Sequence, residues 1–389
     1  MPAWPTVRVN AKAAGRIHSG HLWIFTSDVL DKGEAQRGDA VRVVDPKGRA
    51  LGVAHYSSTS QISVRLLSRR VEPIDAPFLL RRLQAAHSHR ERVVSDSDAY
   101  RLVHAEGDLL PGLVVDRYAE WLVVQFLDQG MDRLTNEIIA ALESLFSPKG
   151  ILARNDAPVR AKEDLPLDKR VVTGVVPQVV SMRMNGLTCA ADLMSGQKTG
   201  IFLDQRENYL AARRYAKGRV LDCFTGSGGF ALHLSSSCES VEAVDSSASA
   251  LETAKSNAAA NRLANITFRE ADVLDYLPQL KSARMSFDLV VVDPPAFAKS
   301  RGAVEGAVRG YKEINLRALQ LLDTGGILVS CSCSHHMSEA HLLEVIASAA
   351  LDCGKQLRVL ERRTQAQDHP LLLTVPETHY LKCLIFEVL

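Results

Sequence analysis

The sequence predicts an α/β protein: a small β-barrel, then an α+β middle segment, then a doubly wound parallel sheet. Three observations predict it. Residues 1–70 break into short alternating strands punctuated by turn signals. From Pro73 the apolar spacing turns helical. From Leu187 to Leu389 strand and helix alternate, the mark of a parallel sheet with crossover helices. The expected domains are therefore 1–70, 73–186 and 187–389.

Composition sets the class. The chain has 389 residues, 46% hydrophobic and 23% charged, which excludes disordered, collagenous and coiled-coil proteins. No apolar run reaches the ~18 residues that span a bilayer, and residues 1–10 lack a positive-then-apolar leader. The seven cysteines show no disulfide framework, so reduced thiols and a cytosolic setting are expected. Net charge is +1, but it is unevenly spread. Residues 1–70 hold 11 basic and 5 acidic side chains, net +6, which leaves −5 for the remainder. A basic module on a mildly acidic body suits a polyanionic partner, because lysine and arginine gain by displacing counterions from phosphates. A solvated basic face is the plainer alternative.

In the first block, Val41–Val44, Leu51–Tyr56 and Gln61–Leu67 read as strands around the turn Asp45-Pro46-Lys47-Gly48. Gly15 to Phe25 mixes basic, aromatic and glycine residues. Trp23 and Phe25 could stack on bases, although barrel core suits both better. In the middle block, Ala76–Val94 and Met131–Phe146 carry helical apolar spacing, with strands at Leu113–Val115, Trp121–Phe126, Gly150–Arg154 and Val175–Met184. This block holds no catalytic motif of its own.

In the last block, strands are expected at Arg219–Phe224, Ser240–Asp245, Ile266–Glu270, Phe287–Asp293, Gly326–Ser332, Leu357–Glu361 and Tyr380–Val388. Helices are expected at Ala248–Arg262, Val308–Leu322 and Ser338–Leu351. Ligands of such sheets bind at the carboxyl ends of the strands, and the unusual residues gather there. The first strand opens through Asp222-Cys223-Phe224 into the turn Thr225-Gly226-Ser227-Gly228-Gly229. Glycines let backbone approach a ligand closely. The spacing is not that of a dinucleotide fingerprint, and an acid at Asp222 would repel a pyrophosphate. It suits a ligand with an ammonium group and no phosphate, such as S-adenosylmethionine. Asp245 ends the second strand, where a carboxylate can accept from ribose hydroxyls, and Asp272 follows the third, where it can accept from an adenine amine. Each acid alone would more often be a helix cap; their recurrence at successive strand ends points to one ligand.

Two loops complete the pattern. Asp293-Pro294-Pro295-Ala296-Phe297 follows the fourth strand, its prolines stiffening the backbone. Such a loop can hold the Watson–Crick edge of a flipped base; a structural turn is the alternative. Ser330-Cys331-Ser332-Cys333-Ser334-His335-His336 follows the fifth. Its spacing is not that of a zinc site, and no metal is expected. Strand alternation puts Cys331 and Cys333 on one face, with Cys333 nearer the substrate end. Cys189, Cys223, Cys238, Cys353 and Cys383 are expected to be buried and inert.

The glycine turn, Asp245, Asp272 and Asp293-Pro294-Pro295 resemble the class I, Rossmann-like S-adenosylmethionine-dependent methyltransferases. Gln197-Lys198-Thr199-Gly200 with Ile201 to Arg206, Ser332-Cys333-Ser334, Asp368-His369-Pro370, Tyr380-Leu381-Lys382 and the run Gly107 to Tyr118 resemble the large-subunit (23S) rRNA cytosine-C5 methyltransferases. Gly20-His21-Leu22-Trp23-Ile24-Phe25 is similar to that family's N-terminal PUA domain, an RNA-binding barrel. The resemblance covers essentially the whole chain. It implies S-adenosylmethionine held by Asp222, Phe224, Gly226, Gly228, Asp245, Asp272 and Asp293, with Lys198, Asp204 and Arg206 nearby. It implies rRNA as partner, no membrane, and leaves the oligomeric state open, a homodimer included. One departure is at the proline loop, where Ala296 and Phe297 stand in place of a second cysteine common in RNA cytosine-C5 methyltransferases. The sequence thus names no base for the closing elimination.

Chemistry assigns the remaining roles. Carbon 5 of cytosine is a poor nucleophile until a thiolate adds at carbon 6, so Cys333 is the expected nucleophile and Asp293 the partner of N3 or the amine. Methylation of a base nitrogen needs no thiol and is the competing reading. A non-catalytic RNA-binding assembly factor is a third.

Overall fold

The computed structural model describes residues 4–297, 304–334 and 337–389. The chain forms two compact units. One comprises residues up to Met182, Ala191–Ile201 and Gln367–Thr378; the other comprises Arg183–Ala190, Phe202–Ala366 and His379–Leu389.

In the first unit, β1 (Thr6–Val9), β2 (Trp23–Ile24), β3 (Val29–Asp31), β4 (Ala40–Val44), β5 (Ala50–Tyr56) and β6 (Val64–Ser68) form a six-stranded sheet in the order β2-β6-β5-β4-β1-β3. It folds around α1 (Ala11–His18), whose Ile17 meets Val7, Val41, Val43 and Leu66 in the core. Asn10 starts α1 by accepting from Ala13 N at 2.8 Å. Its small and charged residues carry no long apolar period, so the helix is not legible in the sequence pattern. Trp23 and Phe25 are only half-buried; Ile24 between them fills the core. Arg16 lies over the Phe25 ring.

The same unit holds a five-stranded sheet of β7 (Ala99–His104), β8 (Leu113–Tyr118), β9 (Trp121–Phe126), β10 (Gly150–Asn155) and β11 (Asp168–Gly174), in the order β11-β10-β9-β8-β7. It is covered by α2 (Ala76–Val93) and α4 (Thr135–Phe146), with Phe78, Leu79 and Leu83 against Ile138 and Leu142, and the short α5 (Val159–Lys162) joins β10 to β11. The single helix expected from Met131 to Phe146 breaks at Leu134 into α3 (Gln129–Arg133) and α4. Asp128 starts α3 early by accepting from Met131 N at 2.7 Å, and at the break Thr135 Oγ1 donates to the Asp132 carbonyl at 2.6 Å. The expected strand Val175–Met184 begins only at Val179 (β12, Val179–Met184) and pairs with β13 (Leu187–Asp192).

The second unit is built on β14 (Arg219–Cys223), β15 (Ser240–Asp245), β16 (Ile266–Glu270), β17 (Phe287–Val292), β18 (Leu322–Ser332), β19 (Leu357–Arg363) and β20 (Lys382–Val388). Their order is β16-β15-β14-β17-β18-β20-β19. Six of these strands run in one direction and β20, between β18 and β19, runs antiparallel to both its neighbours, so the sheet is mixed rather than wholly parallel. The chain winds outward from β14 one way and from β17 the other, which opens a crevice at their carboxyl ends. Buried β14 and β17 read as apolar runs because both faces of such a sheet are covered. Helices α9 (Val273–Ser282), α10 (Val304–Leu319) and α11 (Glu339–Asp352) share its main core, with Tyr276, Leu277, Ile314 and Ile346 meeting Leu221, Val290 and Leu328. Ahead of the sheet stands α6 (Arg206–Arg213), and α7 (Gly229–Ser235) and α8 (Ala248–Ala260) follow β14 and β15.

Candidate active site

Asp222 is the polar exception in β14. Its neighbours Leu221 and Cys223 are fully buried and it is itself 1% exposed. Oδ2 accepts from Thr225 Oγ1 at 2.6 Å and from Ala231 N at 2.9 Å. Oδ1 is buried and has no hydrogen-bond partner. A buried oxygen without a donor is costly. Desolvation, reinforced by the neighbouring charges of Asp293 and Asp245, pushes the Asp222 carboxyl up to about 7. A hydrogen-bond donor placed against Oδ1 would offset that cost.

The turn after β14 is held in a left-handed conformation: φ is 62° at Phe224, 54° at Gly226 and 91° at Gly228. A side chain at Gly226 would stand in open space, so glycine is required there by the backbone angle and leaves a clear approach to the main chain. Asp245, at the end of β15, clamps the turn. Its Oδ2 accepts from Gly226 N and its Oδ1 from Ser247 N, both at 2.9 Å. Asp272 does what the plainer reading allowed: it caps α9, with Oδ1 accepting from Leu274 N at 2.8 Å. Its exposure leaves the carboxylate accessible.

Asp293, just past β17, is half-buried, and its Oδ2 accepts from Gln205 Nε2 at 3.0 Å. Gln205 is 1% exposed and is aimed in turn by Asn208, whose Nδ2 donates to Gln205 Oε1 at 2.7 Å. Arg363 Nε donates to Asn208 Oδ1 at 3.0 Å. Gln205 is not among the residues the sequence marks as functional. Its signal was weak: a buried amide between two charged residues, in a segment quoted only for its resemblance.

Cys333 follows the last residue of β18. Ser332 and Ser334 on either side are buried, and Cys333 between them is half-exposed. Ser332 Oγ donates to the Tyr311 hydroxyl at 2.8 Å, and that hydroxyl lies 3.1 Å from Ser334 Oγ. Tyr311, from α10, thus pins both flanks of the cysteine. The Phe297 ring of the proline loop packs edge-on to Tyr311, with centroids 4.9 Å apart. Burial raises the Tyr311 hydroxyl, and the charges of Cys333 and Asp293 add to the effect. One side chain therefore joins the Asp293 loop to the Cys333 loop. Tyr311 is not so marked either, being indistinguishable in sequence from an apolar helix residue. Cys331, expected on the same face as Cys333, is fully buried in β18 opposite Cys383. Cys238 and Cys353 are half-buried, not buried as expected, because each sits at the end of a helical turn. His335 and His336 lie outside the described residues.

Asp204 and Arg206 are both interior, 1% and 2% exposed. Asp204 Oδ2 accepts from the Tyr380 hydroxyl at 2.7 Å, and the Arg206 carbonyl accepts from Asn185 Nδ2 at 2.8 Å. Lys198 belongs to the first unit, on an exposed turn with φ 53°. Asp368 and His369 are buried in that same unit, where the Asp368 carboxylate accepts from Arg101 N at 2.9 Å. Among the described residues no group of three or more His, Cys, Asp or Glu could hold a metal ion, and no helix is long and apolar enough to cross a membrane.

Comparison with known proteins places this chain in a family. Residues 7–69 match a PUA-like domain and residues 215–371 a methyltransferase domain. The chain is 43% identical over 376 residues to ribosomal RNA large subunit methyltransferase I of Tolumonas auensis, covering 94% of each. It is 39% identical to the protein of that name from Escherichia coli, over 93% of this chain and 94% of that one. Among solved structures, the SAH complex of the methyltransferase SMU.776 superimposes with a TM-score of 0.86 at 19% identity, covering 99% of this chain and 100% of that one. A SAM-dependent methyltransferase from Streptococcus mutans follows at 0.84, with the same identity and coverage. From the barrel match to the methyltransferase sheet, over nearly its whole length, the chain belongs to the ribosomal RNA large subunit methyltransferase I family.

Proposed function

We propose that this chain methylates carbon 5 of a cytosine in large-subunit rRNA through a covalent adduct of Cys333, with S-adenosylmethionine as methyl donor. The class, an S-adenosylmethionine-dependent rRNA methyltransferase, follows from the family. The carbon position and covalent route are our reading, and one observation carries them: a half-exposed cysteine between two buried, tyrosine-pinned serines, tied through Tyr311 to the loop of Asp293.

The residues present fit the cofactor. The unpartnered Asp222 Oδ1 is suited to an ammonium, and the open space over Gly226 to a ligand passing close to the backbone. Phe224 and Gly228 shape that turn, Asp245 would accept from the ribose hydroxyls, and Asp272 from the adenine amine. Lys198, Asp204 and Arg206 are assigned near the cofactor by family resemblance. When bound, S-adenosylmethionine supplies an electrophilic methyl on a sulfonium.

The chain's own residues perform the other steps. Asp293, aimed by Gln205, receives the base edge at N3 or the amine. The Cys333 thiolate adds to carbon 6, making carbon 5 enamine-like and able to take the methyl. Loss of the carbon-5 proton then re-forms the double bond and expels the thiolate. The basic barrel, residues 1–70, and the middle segment to residue 186 would grip RNA, while 187–389 performs transfer in the cytoplasm. The test is Cys333→Ala, assayed by nucleoside mass spectrometry of rRNA and by calorimetry with SAH. Loss of 5-methylcytosine with SAH binding intact is expected. A methylated base nitrogen, or methylation persisting at wild-type rate, would overturn the reading.

A further inference from the structure

Ser332, the last residue of β18, lies directly across the ladder from Lys382 of β20. That register sets Lys382 beside the loop bearing Cys333. The lysine is only 3% exposed, which is rare for this residue type. Its Nζ donates to the Ser334 carbonyl at 2.7 Å and to the Tyr380 carbonyl at 2.8 Å. Tyr311 holds the loop by its serine side chains; Lys382 holds it by the main chain, one residue beyond the thiol. Neither carbonyl carries a full charge, so the ammonium is only partly compensated by its hydrogen bonds.

We propose that Lys382 is the positioning residue for Cys333: its grip on Ser334 fixes where the thiol points, and its charge keeps the sulfur in the thiolate form. The proposal rests on the reading of Cys333 as nucleophile. Burial brings Lys382 down to about 8, opposed first by Cys333 and then by Glu339 of α11. The coupling is reciprocal: a thiolate that favours the ammonium is itself favoured by it. Glu339 is shared with Arg362, which pairs with it, and Cys333 is the larger of the two negative charges acting on Lys382. The Tyr311 hydroxyl, from α10, feels the charges of both Cys333 and Asp293. An ionised Asp293 would oppose the thiolate, so a cation on the β20 side is what the arrangement needs.

The test is alkylation of the full chain by iodoacetamide between pH 6 and 10, followed residue by residue by peptide mass spectrometry. In the wild type, the Cys333 midpoint is expected below the ~8.5 of a free thiol. Lys382→Met is expected to move it up by about one pH unit, about tenfold slower alkylation at pH 7, with Cys238 and Cys353 unmoved. Lys382→Arg is expected to stay within about threefold of wild type. Methylation by Lys382→Met would fall in kcat with SAH affinity unchanged. A wild-type midpoint at or above 8.5 overturns the proposal without any variant having to fold. So does an unchanged Cys333 profile in a folded Lys382→Met protein. Methylation by Cys333→Ala would instead strike the covalent reading, while the alkylation profile would still rule on Lys382.

Discussion

Gln205 Nε2 donates to Asp293 Oδ2 at 3.0 Å, and the donor is buried while the acceptor is half-exposed. An inward amide thus fixes one oxygen of this half-exposed carboxylate. Removing that donor takes one restraint from the carboxylate without touching the cofactor turn. Hydrogen bonds to charged groups contribute about 1.5–3 kcal/mol, so Gln205→Ala should lower kcat by about 10- to 100-fold with SAH affinity within about threefold. Steady-state kinetics with calorimetry checks this; an equal loss in SAH affinity would place Gln205 in the cofactor site instead.

Asp222 gives a pH signature. Its folded value, about 7, lies above the ordinary 3.8. Between those values the unfolded chain has lost the proton that the native state keeps, so this group's contribution to stability falls as pH rises. A bound ammonium favours the ionised form, so SAH affinity should increase from pH 6 to 8, with proton release below 7. Asp222→Asn should weaken SAH binding at least about tenfold and flatten that pH dependence. Asp128 also titrates upward, to about 6, and His55 downward, to about 3. The diagnostic quantity is thus the difference between wild-type and Asp222→Asn melting curves. An unchanged SAH affinity in the variant would remove Asp222 from the site.

Tyr311→Phe deletes one hydroxyl that serves both serines beside Cys333. The fold should lose about 1–2 kcal/mol by chemical denaturation, and kcat should drop far more than the cofactor affinity does. Wild-type turnover in a measurably destabilised protein would show that Tyr311 is structural only.

Gly226→Ala tests the turn. A non-glycine residue at φ 54° is strained by roughly 1–2 kcal/mol, and the new methyl points into open space. The apo protein should therefore stay folded while SAH binding weakens. If calorimetry shows full affinity, the open space over Gly226 is not where the ligand lies.

Much of this arrangement was legible in sequence because backbone rules write it there. Asp222, Asp245 and Asp293 stand out as lone acids closing apolar strands, and the glycine turn after Asp222 follows from its need for left-handed angles. Ser240–Asp245 and Ile266–Glu270 appear within the limits expected. What escaped were residues whose role is set by tertiary partners. Gln205, Tyr311 and Lys382 look in sequence like a polar helix start, an apolar helix position and an alternating strand residue. The antiparallel β20 escaped because strand direction is not encoded in apolar periodicity. Asp272 was legible as a strand-end acid, yet its observed partners are the amides of α9, a role that local pattern favours equally.

The central claim is that the Cys333 sulfur bonds to carbon 6 of the target cytosine. RNA carrying 5-fluorocytosine measures this directly, since fluorine cannot leave as a proton does and the adduct persists after methyl transfer. With S-adenosylmethionine present, the account predicts a protein–RNA complex that survives denaturation, maps to the Cys333 peptide and is absent from Cys333→Ala. A wild-type enzyme that methylates ordinary RNA but forms no such complex, or forms it through another residue, would contradict the account.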